Sequence, residues 1–357
     1  MEKGKMKHPG EVLLTEITKA QMSQKELALR TGVSEKHIST IINGGKDISA
    51  SFARKLEIAL GSEKNYWAQL QAEYDQYQVQ LEEENNITDE EIEILSSMKE
   101  IVDYFISEKL MHNNCGDASK VLQLRDVLRV SNLTVIPKIT YNAAYRAQLK
   151  TSTSINQYTL FAWQRLCEIK TEHLSCNPPF SAEKLKQRID DIKKVMFEQN
   201  VTSMLNKLTL ILSECGIAFH VVRHFRGAPV QGFIKEKEDE SAILCLTIRM
   251  KKADIFWFSL FHEIGHLLNG DLSVRFVDFD SVKSAMEEQA DIFARDTLIP
   301  MDLYNAFVSK RDYSLSAIKH FAQEVGVPHW IVIGRLHSDE WLDWNIFAHE
   351  TPSFEWA

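Results

Sequence analysis

Apolar residues in the first sixty positions recur every three or four residues, in short segments that glycine interrupts. The segments run from Glu11 to Leu60, and the interruptions are Gly32, Gly44-Gly45 and Gly61. A spacing of three and four places apolar side chains on one face of a helix, and glycine marks the places where helices end. The pattern therefore predicts a compact bundle of five short helices.

A strongly acidic, helix-forming stretch follows, from Tyr66 to about Leu110, and it is broken only at Asn85-Asn86. Thr88 followed by Glu91 has the spacing of a capping box, which starts a second helix. This stretch is predicted to be a long helical connector. Further helices are predicted through Val127, Tyr145 and Trp163, and from Leu185 to Leu212.

The pattern changes after Gly216, where β-rich runs replace the helical spacing. The runs are Ala218 to Phe225, Val230 to Lys235 and Ala242 to Arg249. They fit three antiparallel strands, because turn residues separate them. Helical periodicity returns over Phe256 to Asn269, Ser284 to Leu298 and Leu315 to Val325. The whole pattern predicts an α+β fold that is mostly helical, with a small antiparallel sheet packed on a helix.

Charge is spread unevenly along the chain, whose net charge is −9 over 357 residues. Residues 1–64 hold 11 Lys and Arg against 8 Asp and Glu, whereas residues 65–100 hold 1 against 10. A chain with this overall charge does not coat nucleic acid, but a basic N-terminal module can still bind it. The sign reversal also marks a domain boundary.

The N-terminus has no apolar stretch behind its lysines, so a secretory leader is not expected. The longest aromatic and aliphatic run, Ile255 to Phe261, is about a third of the ~20 residues that a membrane-spanning helix requires. Five cysteines, an odd number without CxxC spacing, are typical of reduced thiols. The sequence predicts a cytoplasmic protein with no membrane partner.

The sharpest chemical signal is the pentapeptide His262-Glu263-Ile264-Gly265-His266, which lies within a helical pattern. Residues four apart share a helix face, so His262 and His266 can offer two imidazole nitrogens to one tetrahedral Zn²⁺. Glu263 then lies beside the metal and is the candidate general base for hydrolysis of a carbonyl compound such as a peptide. The alternative is a pair of structural histidines that bind no metal.

A third protein ligand is expected downstream, in the helix that contains Glu287-Glu288. Glu287 is favoured over Glu288, because Asp291 lies one turn after Glu287 and could orient a ligand histidine through its free N–H. The remaining alternative is that both glutamates are solvated surface residues. The predicted cofactor is Zn²⁺, with Mn²⁺ as a substitute in vitro.

Residues 24–43 have the spacing of a helix-turn-helix, with Gly32 at the turn and Ser34 as the cap of the second helix. Such a motif reads double-stranded operator DNA, and pairs of half-sites favour a homodimer. The alternative is a small bundle used for dimerisation or protein contact. The outward residues expected to meet bases and phosphates are Glu35, Lys36, His37, Ser39, Thr40 and Asn43.

These motifs together resemble an XRE-type, HigA-like helix-turn-helix followed by an ImmA/IrrE-family (HEIGH-type) metallopeptidase domain. The N-terminal likeness rests on residues 8–11, 23–28, 41–44 and 67–71. The C-terminal likeness rests on residues 256–258, 262–266, 287, 290–291, 293–294, 298–300 and 334–336. The segment Ala144-Tyr145-Arg146 is weakly similar to the middle of such fusions. The family often has Gln where this chain has His337, which leaves substrate contacts near the C-terminus open.

The resemblance implies three domains: residues 1–75 as the helix-turn-helix bundle, 76–200 as the helical connector and 201–357 as a zincin-like domain. It implies a gluzincin-like zinc endopeptidase, with zinc held by His262, His266 and Glu287, that cleaves an XRE-type repressor, or itself, and so controls stress, mobile-element or defence genes. The alternative function is a HigA-like repressor or antitoxin whose metallopeptidase domain is regulatory or inactive. A third, a zinc-stabilised scaffold, also stays open.

Overall fold

A computed structural model of the chain describes residues 6–139, 155–174, 178–273, 276–279 and 285–354. The chain divides into two compact units. The first comprises residues 1–92 with 116–122, and the second comprises residues 93–115 with 123–357. The segment around Tyr145, for which the sequence predicts a helix, lies outside the described residues.

The first unit opens with a bundle of short helices around an apolar core. They are α1 (Pro9–Lys19), α2 (Gln24–Thr31), α3 (Glu35–Ile42) and α4 (Ala50–Leu60). The prediction of five helices between Glu11 and Leu60 was one too many, because Gly61 ends α4 in the left-handed conformation and the fifth helix begins only at Tyr66.

Helices α2 and α3 form the helix-turn-helix that the spacing predicts. Gly32 follows α2 in the left-handed conformation at a φ of 65°, and Ser34 then accepts a hydrogen bond from the backbone N–H of His37. Leu27 and Ile38 face inward and are fully buried. Two capped helices joined by a tight glycine turn therefore hold α3 against the bundle by its apolar face.

The acidic stretch is helical, as predicted. It forms α5 (Tyr66–Asn85), α6 (Asp89–Ser97) and α7 (Lys99–Ser107). The hydroxyl of Thr88 accepts a hydrogen bond from the backbone N–H of Glu91 at 3.3 Å, which is one half of the expected capping box. Trp67, at the start of α5, is fully buried among the apolar residues of the bundle.

The central helices precede a four-stranded sheet. They are α8 (Asp117–Leu128), α9 (Gln157–Glu172), α10 (Ala182–Val195) and α11 (Val201–Glu214). The strands are β1 (Ile217–Val222), β2 (Val230–Glu236), β3 (Ala242–Thr247) and β4 (Phe276–Phe279), in the order β1-β3-β2-β4. The three strand regions expected from sequence are present, and β4 is an addition.

The sheet is mixed, so the prediction of a purely antiparallel sheet was wrong. β2 runs antiparallel to β3 and β4, but β1 and β3 are parallel, with Phe219 opposite Leu244. Chain direction does alternate from β1 to β2 to β3. The connection after β1 leaves one strand position empty between β1 and β2, and β3 fills that position. β1 and β3, which run in the same direction, therefore become neighbours.

Both faces of the sheet are covered, which accounts for the burial of every residue of β3. Trp163 of α9 packs on Phe233 of β2 from one side, with ring centroids 6.1 Å apart. Because side chains alternate along a strand, Gly232 faces the opposite side. That side is occupied by α12 (Ala253–Asn269), whose apolar residues share a core with Ile234.

The chain ends in four further helices, two of which the sequence pattern had not indicated, α14 and α16. The helices are α13 (Ala285–Leu298), α14 (Met301–Ser309), α15 (Leu315–Val325) and α16 (His329–Ser338). The four described cysteines carry free thiols. No helix in the described ranges is both long and apolar enough to cross a bilayer.

Candidate metal centre

The HExxH segment lies in the middle of α12, a helix that is buried on almost every side. His262 is 5% exposed, and Glu263 and His266 are fully buried. Polar side chains are costly inside an apolar helix unless they have partners, so each of these three groups needs a bonding role. The partners of the two histidines come from α13 and from the turn that follows α12.

Close contact between α12 and α13 brings those partners within reach. A Cβ atom added at Gly265 would lie 3.1 Å from the Cα of Ala290, which is tighter than ordinary packing. Because Gly265 has no side chain and Ala290 has only a methyl group, the two helices approach backbone to backbone. This approach places Glu287, one turn before Ala290 on α13, over the two histidines.

Three candidate ligand atoms converge at this point. The Nε2 atoms of His262 and His266 are 3.0 Å apart, and Oε2 of Glu287 lies 3.1 Å from the first and 3.6 Å from the second. Tetrahedral zinc with bonds near 2 Å would hold its ligand atoms about 3.3 Å apart, so the spacing and the N, N, O donor set fit such an ion. Glu288, the alternative ligand considered from sequence, is exposed. Among the described residues, this is the one group with metal-binding geometry.

Each histidine has a second carboxylate on its other ring nitrogen. Oδ1 of Asp291 lies 2.9 Å from Nδ1 of His262, and Oδ2 of Asp271 lies 2.8 Å from Nδ1 of His266. Such partners hold the proton on Nδ1, which leaves the Nε2 lone pair directed at the centre. Asp291 was expected from its helical spacing. Asp271 was not, because it follows the helix-ending Gly270 in a short 3₁₀ turn where helical periodicity carries no information.

The electrostatics of the cluster favour an anionic carboxylate. Burial alone would raise the pKa of Glu287, but its close contacts with the rings of His262 and His266 outweigh burial and lower that pKa to about 2. Burial opposes the charged form of His266, yet the carboxylates of Glu287, Glu263 and Asp271 together raise its pKa. The cluster thus stabilises positive charge between the three candidate ligand atoms. A bound cation would supply that charge.

Glu263 lies against strand β2. Its side chain lies against the backbone of Gly232, so closely that a Cβ atom there would be 1.9 Å from Oε1 and 2.6 Å from Cγ. The absence of a side chain at residue 232 therefore creates the space that the Glu263 carboxylate occupies. Sequence reasoning missed Gly232, since it is 31 positions upstream and only the tertiary fold brings it here.

Replacing Asp271 by Asn should weaken metal binding by about 10-fold to 100-fold, the usual effect of losing a carboxylate behind a ligand histidine. Asn keeps the shape but cannot supply the charge that supports His266. Competition with a chromophoric chelator measures the affinity. Asp302→Asn, at an exposed position on α14, is the matched control. An unchanged affinity would show that Asp271 does not support the ligand.

The candidate DNA-contacting residues lie on or just after α3. Glu35, Lys36 and Asn43 are exposed, and Ser39 and Thr40 are half-buried. The ring of His37 packs edge-on against Phe52, with centroids 5.2 Å apart. Partial burial, Lys46 and Lys55 lower the pKa of His37, which favours its neutral form. Of the six, His37 is thus held partly by the bundle itself.

Comparison with known protein families gives one match in each half of the chain. Residues 16–67 match the family profile described as "Helix-turn-helix", and residues 235–337 match a peptidase family described as "IrrE N-terminal-like domain". The second range contains every candidate metal-site residue from His262 to Asp291. These matches confirm the resemblance found in the sequence: the chain combines a DNA-binding helix-turn-helix domain with a metallopeptidase-like domain, a type that uses a metal.

A search of solved structures returns a protein from Nostoc punctiforme, provisionally described as an antidote protein of a plasmid maintenance system. The two share 27% identity over 28% of this chain and 93% of that one, with a TM-score of 0.20. At that score the likeness carries no weight for the fold. None of the curated proteins gives a significant match. The segment Ala144-Tyr145-Arg146, weakly similar to the middle of related fusions, lies outside the described residues.

Proposed function

We propose that this chain, which joins a helix-turn-helix domain to an IrrE N-terminal-like peptidase domain, is a zinc-dependent endopeptidase that acts at DNA-bound regulators. One observation carries the proposal: His262, His266 and Glu287 present two nitrogens and an oxygen at mutual distances of 3.0 to 3.6 Å. Glu263, next to the first ligand, supplies the base that hydrolysis needs. Zinc is preferred over other divalent ions because two imidazoles and a carboxylate suit it, and Mn²⁺ remains a substitute in vitro.

The chain's own residues divide the work of hydrolysis. A bound zinc would supply Lewis acidity toward a peptide carbonyl and toward water. Glu263 takes a proton from the attacking water and delivers it to the leaving amine, so its carboxylate must be fixed beside the reacting atoms. Gly232 provides that fixation on one side. Asp291 and Asp271 hold His262 and His266 in the ring orientation that binds metal.

The helix-turn-helix domain would bring the peptidase domain to operator DNA. Operator DNA concentrates repressors of the same XRE type, so a peptidase that binds the same sites meets its substrates there. We infer that the substrate is such a repressor, or a second copy of this chain, and that cleavage releases stress, mobile-element or defence genes. A homodimer fits this role, because paired half-sites match a two-fold axis.

The test uses the full chain, loaded with Zn²⁺ or Mn²⁺, and XRE-type repressors encoded next to it, with products read by intact mass. Cleavage by the wild type supports the proposal and identifies the bond that is cut. The Glu263→Gln variant, purified in the same way, controls for contaminating peptidases. Metal binding without cleavage of a repressor or of itself would favour the alternative, a HigA-like repressor or antitoxin with a regulatory zinc domain. Absence of bound metal would reject the zinc site.

Lys36→Ala should weaken operator binding similarly on all sequences and reduce the slope of log affinity against log salt by about 1, since Lys36 is exposed on α3 and suited to a phosphate. Fluorescence anisotropy over a salt series measures both quantities. Lys207→Ala, on α11 outside the helix-turn-helix, is the control. An unchanged slope would remove Lys36 from the contact surface.

A further inference from the structure

A separate cavity of about 330 Å³ lies between α12, α13 and α16. We call it the Asp254 pocket; it is lined by Asp254, Phe258, Asp291, Arg295, Ile331 and Trp344, among others. Its volume is at the lower end of the range for pockets that bind small organic molecules. Most of its wall is apolar, and the exposed indole of Trp344 stands at its rim. Size and lining suit a compact amphipathic guest.

The carboxyl group of Asp254 is the unusual feature of this pocket. Its Oδ1 atom is buried and has no hydrogen-bond partner among the described residues. Its Oδ2 atom is pressed against Gly334 of α16, where a Cβ would lie only 2.3 Å away. Burial raises the pKa of this carboxyl group, which is the cost of burying its charged form, and the backbone N–H groups of Asp254 and Ile255 and the charges of Lys252 and His337 offset that cost only in part. A positively charged guest would remove that cost.

Neighbouring cations do not hydrogen-bond to the buried Oδ1 atom of Asp254. Arg335 donates through Nε to Asp339 at 2.6 Å and stacks over the ring of Tyr304, 4.6 Å from its centroid. Arg295 donates through Nε to the backbone oxygen of Asp291 at 3.2 Å. Lys252 donates through Nζ to the backbone oxygen of Ala348 at 3.2 Å. Each of these cations is therefore engaged elsewhere, and a cationic guest could pair with Asp254.

We propose that the Asp254 pocket binds a small organic amine with an aromatic or branched aliphatic body. The ammonium group would pair with Asp254, where an acceptor is already in place. The body would lie against Phe258 and Ile331, and the aromatic rim at Trp344 adds a favourable face for a cation that enters. The proposal that this pocket binds an amine does not depend on the proposed hydrolysis.

The pocket shares one residue with the candidate metal centre. Asp291 lines the pocket and also holds Nδ1 of His262 through its Oδ1 at 2.9 Å. A guest that contacts Asp291 changes the group that orients a metal ligand, so amine and metal should alter each other's affinity by the same factor. This coupling, unlike binding itself, rests on the proposed metal centre.

The test measures binding of 2-phenylethylamine to the full chain by ligand-observed NMR and calorimetry, with 3-phenylpropionate as the probe of opposite charge. We expect the amine to bind at about 1 mM or tighter and the carboxylate to bind at least 10-fold more weakly. Nα-acetyl-L-lysine methylamide, tested alongside, separates a lysine side chain of a protein from a free amine as the source. Tighter binding of one of the two identifies that source.

Two variants test whether the amine binds in the Asp254 pocket. Asp254→Asn keeps the shape and should weaken amine binding at least 10-fold, and Ser338→Trp, at an exposed position on the rim, should block the pocket without disturbing the core. Asp302→Asn should change nothing. Equal binding of amine and carboxylate, or binding that survives both pocket variants, would overturn the proposal. A zinc affinity that is the same with and without bound amine would overturn the coupling alone.

Discussion

Glu263→Gln is expected to retain its zinc and to lose about 10³-fold or more of its peptide cleavage rate. Gln has nearly the shape of Glu and fills the same space beside Gly232, so the ligand set of His262, His266 and Glu287 is left in place. The amide cannot accept the proton of the attacking water, and general bases in such positions contribute factors of ~10² to 10⁴. Metal content by mass spectrometry and cleavage rate by intact mass measure the two effects separately.

The informative result is that Glu263→Gln changes the cleavage rate without changing the metal content. His262→Ala, which removes a ligand, should lose metal and cleavage together, and so provides the contrast. If Glu263→Gln lost its metal as well, the carboxylate would have a structural role at the centre. If it cut at the wild-type rate, the proton would be moved by another group, and the assignment of Glu263 as base would be wrong.

Gly232→Ala should lower the cleavage rate by about 10²-fold while leaving the fold and the metal content intact. The three atoms nearest to the added methyl group all belong to the side chain of Glu263, with Cδ at 2.4 Å and Oε1 at 1.9 Å. A side chain can rotate away where a backbone cannot, so the general base moves and the strand remains. A displacement of about 1 Å at a reacting group is enough for a loss of that size.

Gly116→Ala is the matched control, since a Cβ there meets nothing within 4 Å and the backbone does not adopt the left-handed conformation. Thermal unfolding should place both variants close to the wild type. A large loss of stability in Gly232→Ala alone would mean that the strand, not Glu263, gives way. Full activity would mean that Glu263 reaches its substrate from a different position.

The sequence could predict the parts of the centre that lie on regular helices. His262 and His266 are four residues apart, as are Glu287 and Asp291, and a 3.6-residue period places the members of each pair on one face. The same periodicity favoured Glu287, which is buried beside the histidines, over its neighbour Glu288, which is exposed. The turn and caps of the N-terminal motif were also predictable, because Gly32 and Ser34 act through local backbone geometry.

Contacts across the fold could not be predicted in this way. Asp271 follows a helix end, and Gly232 belongs to a strand, so neither shares a periodic pattern with the histidines that it supports. The parallel pairing of β1 and β3 depends on which strand fills the position beside β1, and alternating chain direction does not determine that. The Asp254 pocket likewise draws residues from three separate helices.

The contact between Gly265 and Ala290 means that substitutions at these two positions could change the distance between α12 and α13. Since neither residue has more than a methyl group, each added carbon at either position acts as a spacer of known thickness between Glu287 and the two imidazoles. A small library of Gly, Ala and Ser at residues 265 and 290 would therefore form a graded series of ligand separations within one scaffold. Ions of larger radius, such as Cd²⁺, should gain relative to Zn²⁺ as the spacer thickens. The close contact between residues 265 and 290 is thus where the ion preference of the centre could be retuned.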